Sequence, residues 1–247
     1  MNITLTGQRV LVIGGTSGFG FRVAQLALEG GAQVVITGRD PDRRKAALSQ
    51  LSNFGTSTEL RVQCEHLDVS DRASLEPFFQ NIGPFDHLVS TAGGAMGGGF
   101  IEAPFEIIHR AVEEKFFANL LIARLASPCL RAGGSMVFTA GSGGRPHNAS
   151  GAIVGNDAIR TLVQGLAVEL APQLRVNAVA PTWTRTPFWR ALPKEEVDAI
   201  EARFSRLIPL GRTATIDEVA SAYLFLMSNG FINGQTLAVD GGVTLTS

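Results

Sequence analysis

The chain has 247 residues, 45% of them hydrophobic and 17% charged, with a formal net charge of −1. This is a globular composition long enough for one sizeable core, and its near-neutral balance, without a basic stripe, argues against a nucleic-acid partner. Cys64 and Cys129 have no CxxC spacing, so neither a disulfide framework nor a metal site is assigned, and no apolar run approaches the ~18 residues of a membrane span.

The first β-rich run, Arg9–Ile13, starts almost at once and leaves no room for a signal peptide, so a reduced, cytoplasmic protein is expected. A helical pattern at Phe19–Glu29 follows, then a strand pattern at Gln33–Thr37 and a helical one at Pro41–Leu51. Strand patterns recur at Glu59–Cys64, His87–Ser90, Ser135–Thr139, Arg175–Ala180 and Thr236–Val239. Helical patterns fill the gaps at Ser70–Asn81, Phe105–Leu130, Ser150–Leu170 and Ile216–Ser228. Alternation at this spacing predicts βαβ units and therefore a parallel α/β sheet of about seven strands, doubly wound with helices on both faces. No repeat, low-complexity tract or Pro/Ser-rich linker interrupts the pattern, so residues 1–247 read as one domain. Residues 183–210, rich in Arg, Pro and aromatics, break the alternation and fall where a lid over the carboxyl ends of the strands belongs.

Ile13-Gly14-Gly15-Thr16-Ser17-Gly18-Phe19-Gly20 joins the first strand to the first helix. Gly14 permits a tight turn, Gly18 lets the backbone approach a diphosphate, and Gly20 allows close helix–strand packing. The helix N-terminus then offers free N–H groups and a partial positive charge. Such a turn between strand one and an amphipathic helix is the dinucleotide-binding signature of a Rossmann-like fold. Here the chain resembles the short-chain dehydrogenase/reductase family, whose loop reads Thr-Gly-x-x-x-Gly-x-Gly, with Ile13 at the Thr position. The resemblance spans nearly the whole chain. Asp68-Val69 matches the family's adenine-contacting pair, and Ser90-Thr91-Ala92-Gly93 matches Asn-Asn-Ala-Gly with both asparagines replaced. Arg175-Val-Asn-Ala-Val-Ala-Pro181 matches Arg-Val-Asn-x-x-x-Pro, with Thr182 in place of the usual Gly. Pro209-Leu-Gly-Arg212, Asp217-Glu-Val219 and Val239-Asp-Gly-Gly242 match the C-terminal run. The resemblance implies cofactor contacts from Gly14, Thr16, Ser17, Gly18, Phe19, Gly20, Asp68, Val69, Thr91, Ala92, Gly93, Asn156 and Pro181. It adds Thr186, which matches the threonine that contacts the nicotinamide amide.

Cofactor preference follows from the charge at the end of the second strand. An NAD-preferring site places an acid there to accept the ribose hydroxyls. This chain reads Ile36-Thr37-Gly38-Arg39, with no acid before Asp40. The planar fork of Arg39 suits a 2′-phosphate, with Arg43 placed to assist. NADP(H) is therefore the expected cofactor, and a solvated surface arginine is the plainer alternative.

Family members hold a carbonyl substrate with Ser and Tyr, while Lys lowers the Tyr pKa and an Asn on the preceding helix anchors a water. Counting back from Leu166-Ala-Val-Glu-Leu170 puts the Lys position at Asn156 and the Tyr position at Ala152. No register rescues the pair, because the single tyrosine is Tyr223 and the lysines are Lys45, Lys115 and Lys194. Gly141 takes the Ser position, with Ser142 one residue beyond, and Lys115 takes the Asn position. The whole tetrad is substituted, in a pattern similar to that of divergent members with a Lys-Phe-aromatic run on this helix. A positioned general acid is worth about 10²–10⁴ in rate and one oxyanion donor about 10²–10³, so turnover needs a substitute. Lys115 is the first candidate, either donating a proton or polarising a carbonyl, against a plain pairing with Glu113 or Glu114 or a bond to a backbone carbonyl. Ser142, in the flexible run 140–144, can swing in as a donor or be a loop serine. His147 has a suitable pKa range but falls on a loop. Asn156 can bond the ribose or a water, whereas Ala152 only leaves space.

The glycine-rich loop 92–100, with Trp183, Phe188 and Trp189, can enclose an apolar small-molecule substrate, and packing of the lid or of a subunit contact is the alternative. In the family, helices equivalent to 105–130 and 150–170 form one dimer face and the last helix and strand a second. A homo-oligomer, dimer or tetramer, is expected, and a hetero-oligomer with an active homologue stays open. The first reading of function is an atypical NADP(H)-dependent oxidoreductase acting on a carbonyl or alcohol through a remodelled proton-donor site. The second is a non-catalytic NADP(H)-binding sensor or inactive partner subunit. The third is a non-redox isomerase or dehydratase reusing the pocket. Neither nucleic acid nor membrane is an expected partner.

Overall fold

The computed structural model describes residues 4–54, 61–94 and 97–246. Its strands are β1 (Arg9–Ile13), β2 (Gln33–Gly38), β3 (Val62–His66), β4 (Phe85–Ser90), β5 (Leu130–Thr139), β6 (Arg175–Pro181) and β7 (Thr236–Val239). All pair in parallel, in the order β3-β2-β1-β4-β5-β6-β7. The helices are α1 (Gly18–Glu29), α2 (Pro41–Ser52), α3 (Arg72–Asn81), α4 (Phe105–Val112), α5 (Ala118–Ala126), α6 (Ser150–Glu169), α7 (Lys194–Leu207) and α8 (Ile216–Ser228). Among the described residues, no helix is long and apolar enough to cross a membrane.

Alternate residues along the central strands face opposite layers. Val10, Val12, Val34 and Ile36 pack beneath α1 and α8, together with Val23, Leu28 and Tyr223. Leu11, Ile13, Val35 and Leu88 pack beneath α3, α5 and α6, together with Leu75, Ile122 and Val163. Burial on both faces is why runs such as Arg9-Val-Leu-Val-Ile13 are continuously apolar instead of alternating. Ile13 pairs with Ser90 at the carboxyl end of the β1–β4 ladder. Beyond that point the chain leaves β1 for one face and β4 for the other, which opens a crevice at the switch point.

Four boundaries differ from the sequence expectation. The expected helix over 105–130 is three pieces, because a π turn at Glu113–Phe117 separates α4 from α5. Asn119 Nδ2 donates to Lys115 O at 2.6 Å, and Ala118 N–H reaches back five residues to Glu113 O, which widens the helix there. A 3-10 turn at Ser127–Cys129, with Pro128 unable to continue the helix, leads into a β5 that already begins at Leu130. β3 runs from Val62 to His66 and not from 59 to 64, since its ladder follows β2 out to Gly38; Glu59 and Leu60 lie outside the described residues. Within 183–210, α7 is a full helix whose only buried residue is Val197, although Val197, Ile200, Phe204 and Leu207 recur at helical spacing within its charged sequence.

Candidate active site

The loop after β1 has the shape its glycines require. Gly14 has φ +81°, and the side chain of Thr91 occupies the place a Cβ would take; Thr91 Oγ1 donates to Ile13 O at 3.0 Å. A Cβ on Gly20 would lie 2.5 Å from Gly14 O, so α1 starts hard against the turn. Ser17 is the N-cap of α1 and makes no side-chain cap bond. The first N–H groups of α1, from Gly18, Phe19 and Gly20, have no helical acceptor and point out of its end. The outward side of Gly18 meets nothing closer than Thr186 Cβ at 3.7 Å. This open cradle of amides fits the diphosphate of a dinucleotide.

The adenosine end is set by β2 and β3. Arg39 follows β2, two-thirds exposed, with Nη1 3.9 Å from Asp68 Oδ1. Burial would raise the Asp68 carboxyl, but bonds from Ser70 N at 3.0 Å and Ser70 Oγ at 2.7 Å, with Arg39 nearby, hold it below the usual range. Val69 packs against the core. Arg43 does not join Arg39: its Nη2 pairs with Asp40 Oδ2 at 3.2 Å, and Asp40 also caps α2. Ala92 is buried beneath the crevice, and Pro181 ends β6 beside it.

Lys115 lies in the π turn with only 7% of its surface exposed. Its aliphatic stem threads between two glycines: a Cβ on Gly93 would lie 2.6 Å from Lys115 Cδ, and one on Gly155 would lie 2.9 Å from Lys115 Cβ and Cγ. The amine ends 3.4 Å from Ala140 O, its hydrogen bond among the described residues. Neither neighbouring acid pairs with it; Glu113 is engaged by Arg72. Desolvation pushes the amine down from an ordinary 10.5 to about 8. A buried amine beside the β4 and β5 loops, with no carboxylate to hold it charged, can donate a proton near neutral pH.

The other substituted positions fit one another. A Cβ on Gly141 would lie 2.7 Å from Asn156 Nδ2, so the asparagine amide occupies the space of the side chain that Gly141 lacks. Ala152 is half-buried on α6, one turn before Asn156. Ser142 is not free to swing: its Oγ donates to Ala180 O at 3.0 Å and its N to Pro181 O at 2.9 Å, continuing the β5–β6 ladder. His147 is exposed on the surface. Tyr223 is wholly buried in the opposite layer, bonded to Thr139 Oγ1 at 2.7 Å, and burial raises its phenol far above the ordinary value. It is a core residue, not a displaced acid.

Two residues that contact the candidate site were missed in the sequence. Asn119 is wholly buried, accepts from Ser90 Oγ at 2.6 Å and holds the π turn open; its signal was a polar residue four positions after Lys115 inside an apolar run. Arg190, in the segment 183–210, reaches Ser17 in the loop after β1, which nothing in its spacing foretells. The aromatics of residues 183–210 mostly pack on each other. Trp183 is buried and stacks on Trp189 at 5.8 Å and on Phe204 at 5.9 Å, and Phe188 remains half exposed. Thr186 caps the 3-10 turn Pro187–Trp189 by accepting from Phe188 N at 3.3 Å.

A doubly wound sheet with this loop at its switch point defines a class of nucleotide-dependent α/β proteins, and comparison with known proteins narrows it. A family model described as enoyl-(acyl carrier protein) reductase matches residues 13–244. The short-chain dehydrogenase/reductase fsr5 of Gibberella fujikuroi is 31% identical, over 98% of this chain and 96% of that protein. The MalC Reductase/Diels-Alderase of Malbranchea aurantiaca superposes with a TM-score of 0.88 at 30% identity, covering 99% of each chain. A small-chain dehydrogenase in complex with NADPH superposes with a TM-score of 0.78 at 31% identity, over 96% of this chain and 99% of that one. The chain belongs to the short-chain dehydrogenase/reductase family, whose oxidoreductases use a nicotinamide cofactor.

Proposed function

We propose that this protein is an atypical NADP(H)-dependent oxidoreductase that reduces a carbonyl or oxidises an alcohol, with Lys115 as proton donor in place of the missing tyrosine. The observation that carries the reading is the buried amine at the π turn, lowered to about 8 and threaded between Gly93 and Gly155. The amides of Gly18 to Gly20 would hold the diphosphate, Arg39 the 2′-phosphate, Asp68 the adenosine end and Thr186 the amide of the nicotinamide. When bound, the cofactor supplies or accepts the hydride at the carbonyl carbon. Lys115 Nζ gives its proton to the carbonyl oxygen in reduction and takes one back from the alcohol in oxidation. Asn156 orders the ribose or a water beside it, while the lid excludes solvent. Gly141 and Ala152 contribute room, so an apolar substrate larger than the usual tetrad admits suits the pocket. The family's homo-oligomer carries over to this chain through exposed apolar side chains on α6 and around β7, among them Val168 and Phe231.

Lys115→Met is expected to lower turnover about 10²-fold or more on any substrate found in an aldehyde and ketone panel, while NADPH affinity stays within about threefold. Reduction should also slow above pH 8 as the amine loses its proton. Unchanged turnover in Lys115→Met removes the lysine from the mechanism, and a panel with no NADPH oxidation turns the reading toward a cofactor-binding sensor. A second reading is favoured by the double activity of the MalC Reductase/Diels-Alderase. A pocket without a tyrosine at Ala152 can also order a substrate for bond reorganisation that needs no proton donor.

A further inference from the structure

One cationic contact at the phosphate loop is not accounted for by the family's motifs. Arg190 follows the 3-10 turn of the lid, is exposed, and donates from Nη2 to Ser17 Oγ at 3.2 Å. Asp217, the carboxylate that lines the same cavity as Arg190, is already engaged by Arg22. Among the described residues Arg190 makes no ion pair, and the neutral hydroxyl of Ser17 is its side-chain partner.

Ser17 and Arg190 border a cavity of about 640 Å³ on the outer side of the loop, and Thr16 and Arg43 share its wall. Thr16 in turn sits against the end of β2, because a Cβ on Gly38 would lie 2.6 Å from Thr16 Cγ2, and Arg39 is the next residue. Thr16 thus adjoins the strand end that Arg39 follows and Ser17 takes the contact from Arg190, while the Arg39 guanidinium lies toward Asp68, 3.9 Å away, outside the cavity lining. The amides at the start of α1 account for a diphosphate without any lid residue. A phosphate monoester on the adenosine ribose is the group that would reach past that seat toward Thr16 and Ser17. Its two negative charges match a pair of guanidiniums better than the hydroxyls present there.

Resting on the dinucleotide reading above, we propose that Arg190 is a specificity-determining residue of the cofactor site, closing the lid onto the 2′-phosphate of NADP(H) opposite Arg39. The lid then orders on the phosphorylated cofactor and not on NAD(H).

The test measures NADPH and NADH dissociation constants on the full-length protein by calorimetry for wild type, Arg190→Ala, Arg190→Lys and Arg39→Ala. Arg190→Ala should weaken NADPH about tenfold or more and leave NADH within about twofold, with Arg190→Lys in between because lysine keeps the charge and loses the fork. Hydrogen exchange over residues 183–193 should slow with NADP+ but not with NAD+, and the slowing should vanish in Arg190→Ala. If Arg190→Ala leaves NADPH affinity unchanged while Arg39→Ala weakens it, the dinucleotide reading stands and the role of Arg190 is refuted. Equal losses for both nucleotides place Arg190 on the shared diphosphate and overturn the specificity claim. A wild type that binds neither nucleotide overturns both readings.

Discussion

A lysine held at 7% exposure with one backbone carbonyl for a partner destabilises a fold whenever it is charged. Burial sets its pKa at about 8 when folded, against an ordinary 10.5. Between those values the unfolded chain binds more protons, so stability rises with pH through that window. Below pH 8 both states are protonated and the full penalty, roughly 3 kcal/mol, is present. Lys115→Met keeps most of the stem that fills the channel between Gly93 and Gly155 and removes the charge. It should therefore raise the melting temperature at pH 7 by several degrees, with the advantage shrinking toward pH 10.5. Melting curves at the two pH values check this, and a lower melting temperature at pH 7 would show that the bond to Ala140 outweighs desolvation. More stability with less turnover is the signature of a residue kept for function. Gly141 and Asn156 make the complementary point: one lacks a side chain where the other's amide lies, so restoring a serine alone displaces the asparagine.

The π turn and α6 act as one element pair, because Lys115 can lie between them only where α6 has no Cβ. A methyl at Gly155 would meet Lys115 at Cβ and Cγ, 2.9 Å away, near the root of the side chain where it cannot bend aside. Gly155→Ala should cost about 1–3 kcal/mol as an overpacked contact, and it should push the amine away from Ala140. The measurement is the kinetic pKa together with the melting temperature. A variant whose pKa near 8 persists while its stability falls would separate packing from catalysis and refute the coupling. This element pair also marks how far the sequence could be read. The β1 loop was legible because glycine spacing encodes backbone shape directly, and the absence of any Tyr-x-x-x-Lys run was legible because tyrosines and lysines can be counted. The π turn was not, since its cause is a side chain, Asn119, that takes a carbonyl within its own helix. Nor was the reciprocal fit of Gly141 and Asn156, which are 15 residues apart and meet only across the β5–α6 connection. α7 was legible in principle, since Val197, Ile200, Phe204 and Leu207 recur at helical spacing, but the reading of 183–210 as an irregular excursion passed over that stripe. The tie of Ser142 to Ala180 was hidden because a glycine-rich run reads as mobile until its strand partner is known.

Across the whole molecule, the two ends of the sheet have opposite tasks. The carboxyl ends carry the glycine loop, the buried amine of Lys115 and the segment 183–210, with the first N–H groups of α1 left without a helical acceptor. The amino ends are closed by hydrogen bonds that serve the fold alone. There His87 is 3% exposed, with Nδ1 2.8 Å from Ser135 Oγ and Nε2 3.0 Å from Gln8 Oε1, tying β4 to β5 and to the residue before β1. Desolvation, only partly offset by Asp86, lowers its pKa to about 4 from an ordinary 6.5. The unfolded chain takes up a proton first, so stability is fully present above pH 6.5 and is lost as pH falls through about 4. The loss amounts to roughly 3 kcal/mol. The carboxylates held below their usual range at Asp68 and Glu218 titrate lower, so the upper part of the acid limb belongs to the histidine. His87→Gln keeps a polar group between Ser135 and Gln8 and cannot be protonated there. Its denaturant stability should change much less than that of wild type between pH 6.5 and 4.5, whatever its stability at neutral pH. Parallel slopes for the two proteins over that range would show that the acid limb arises elsewhere.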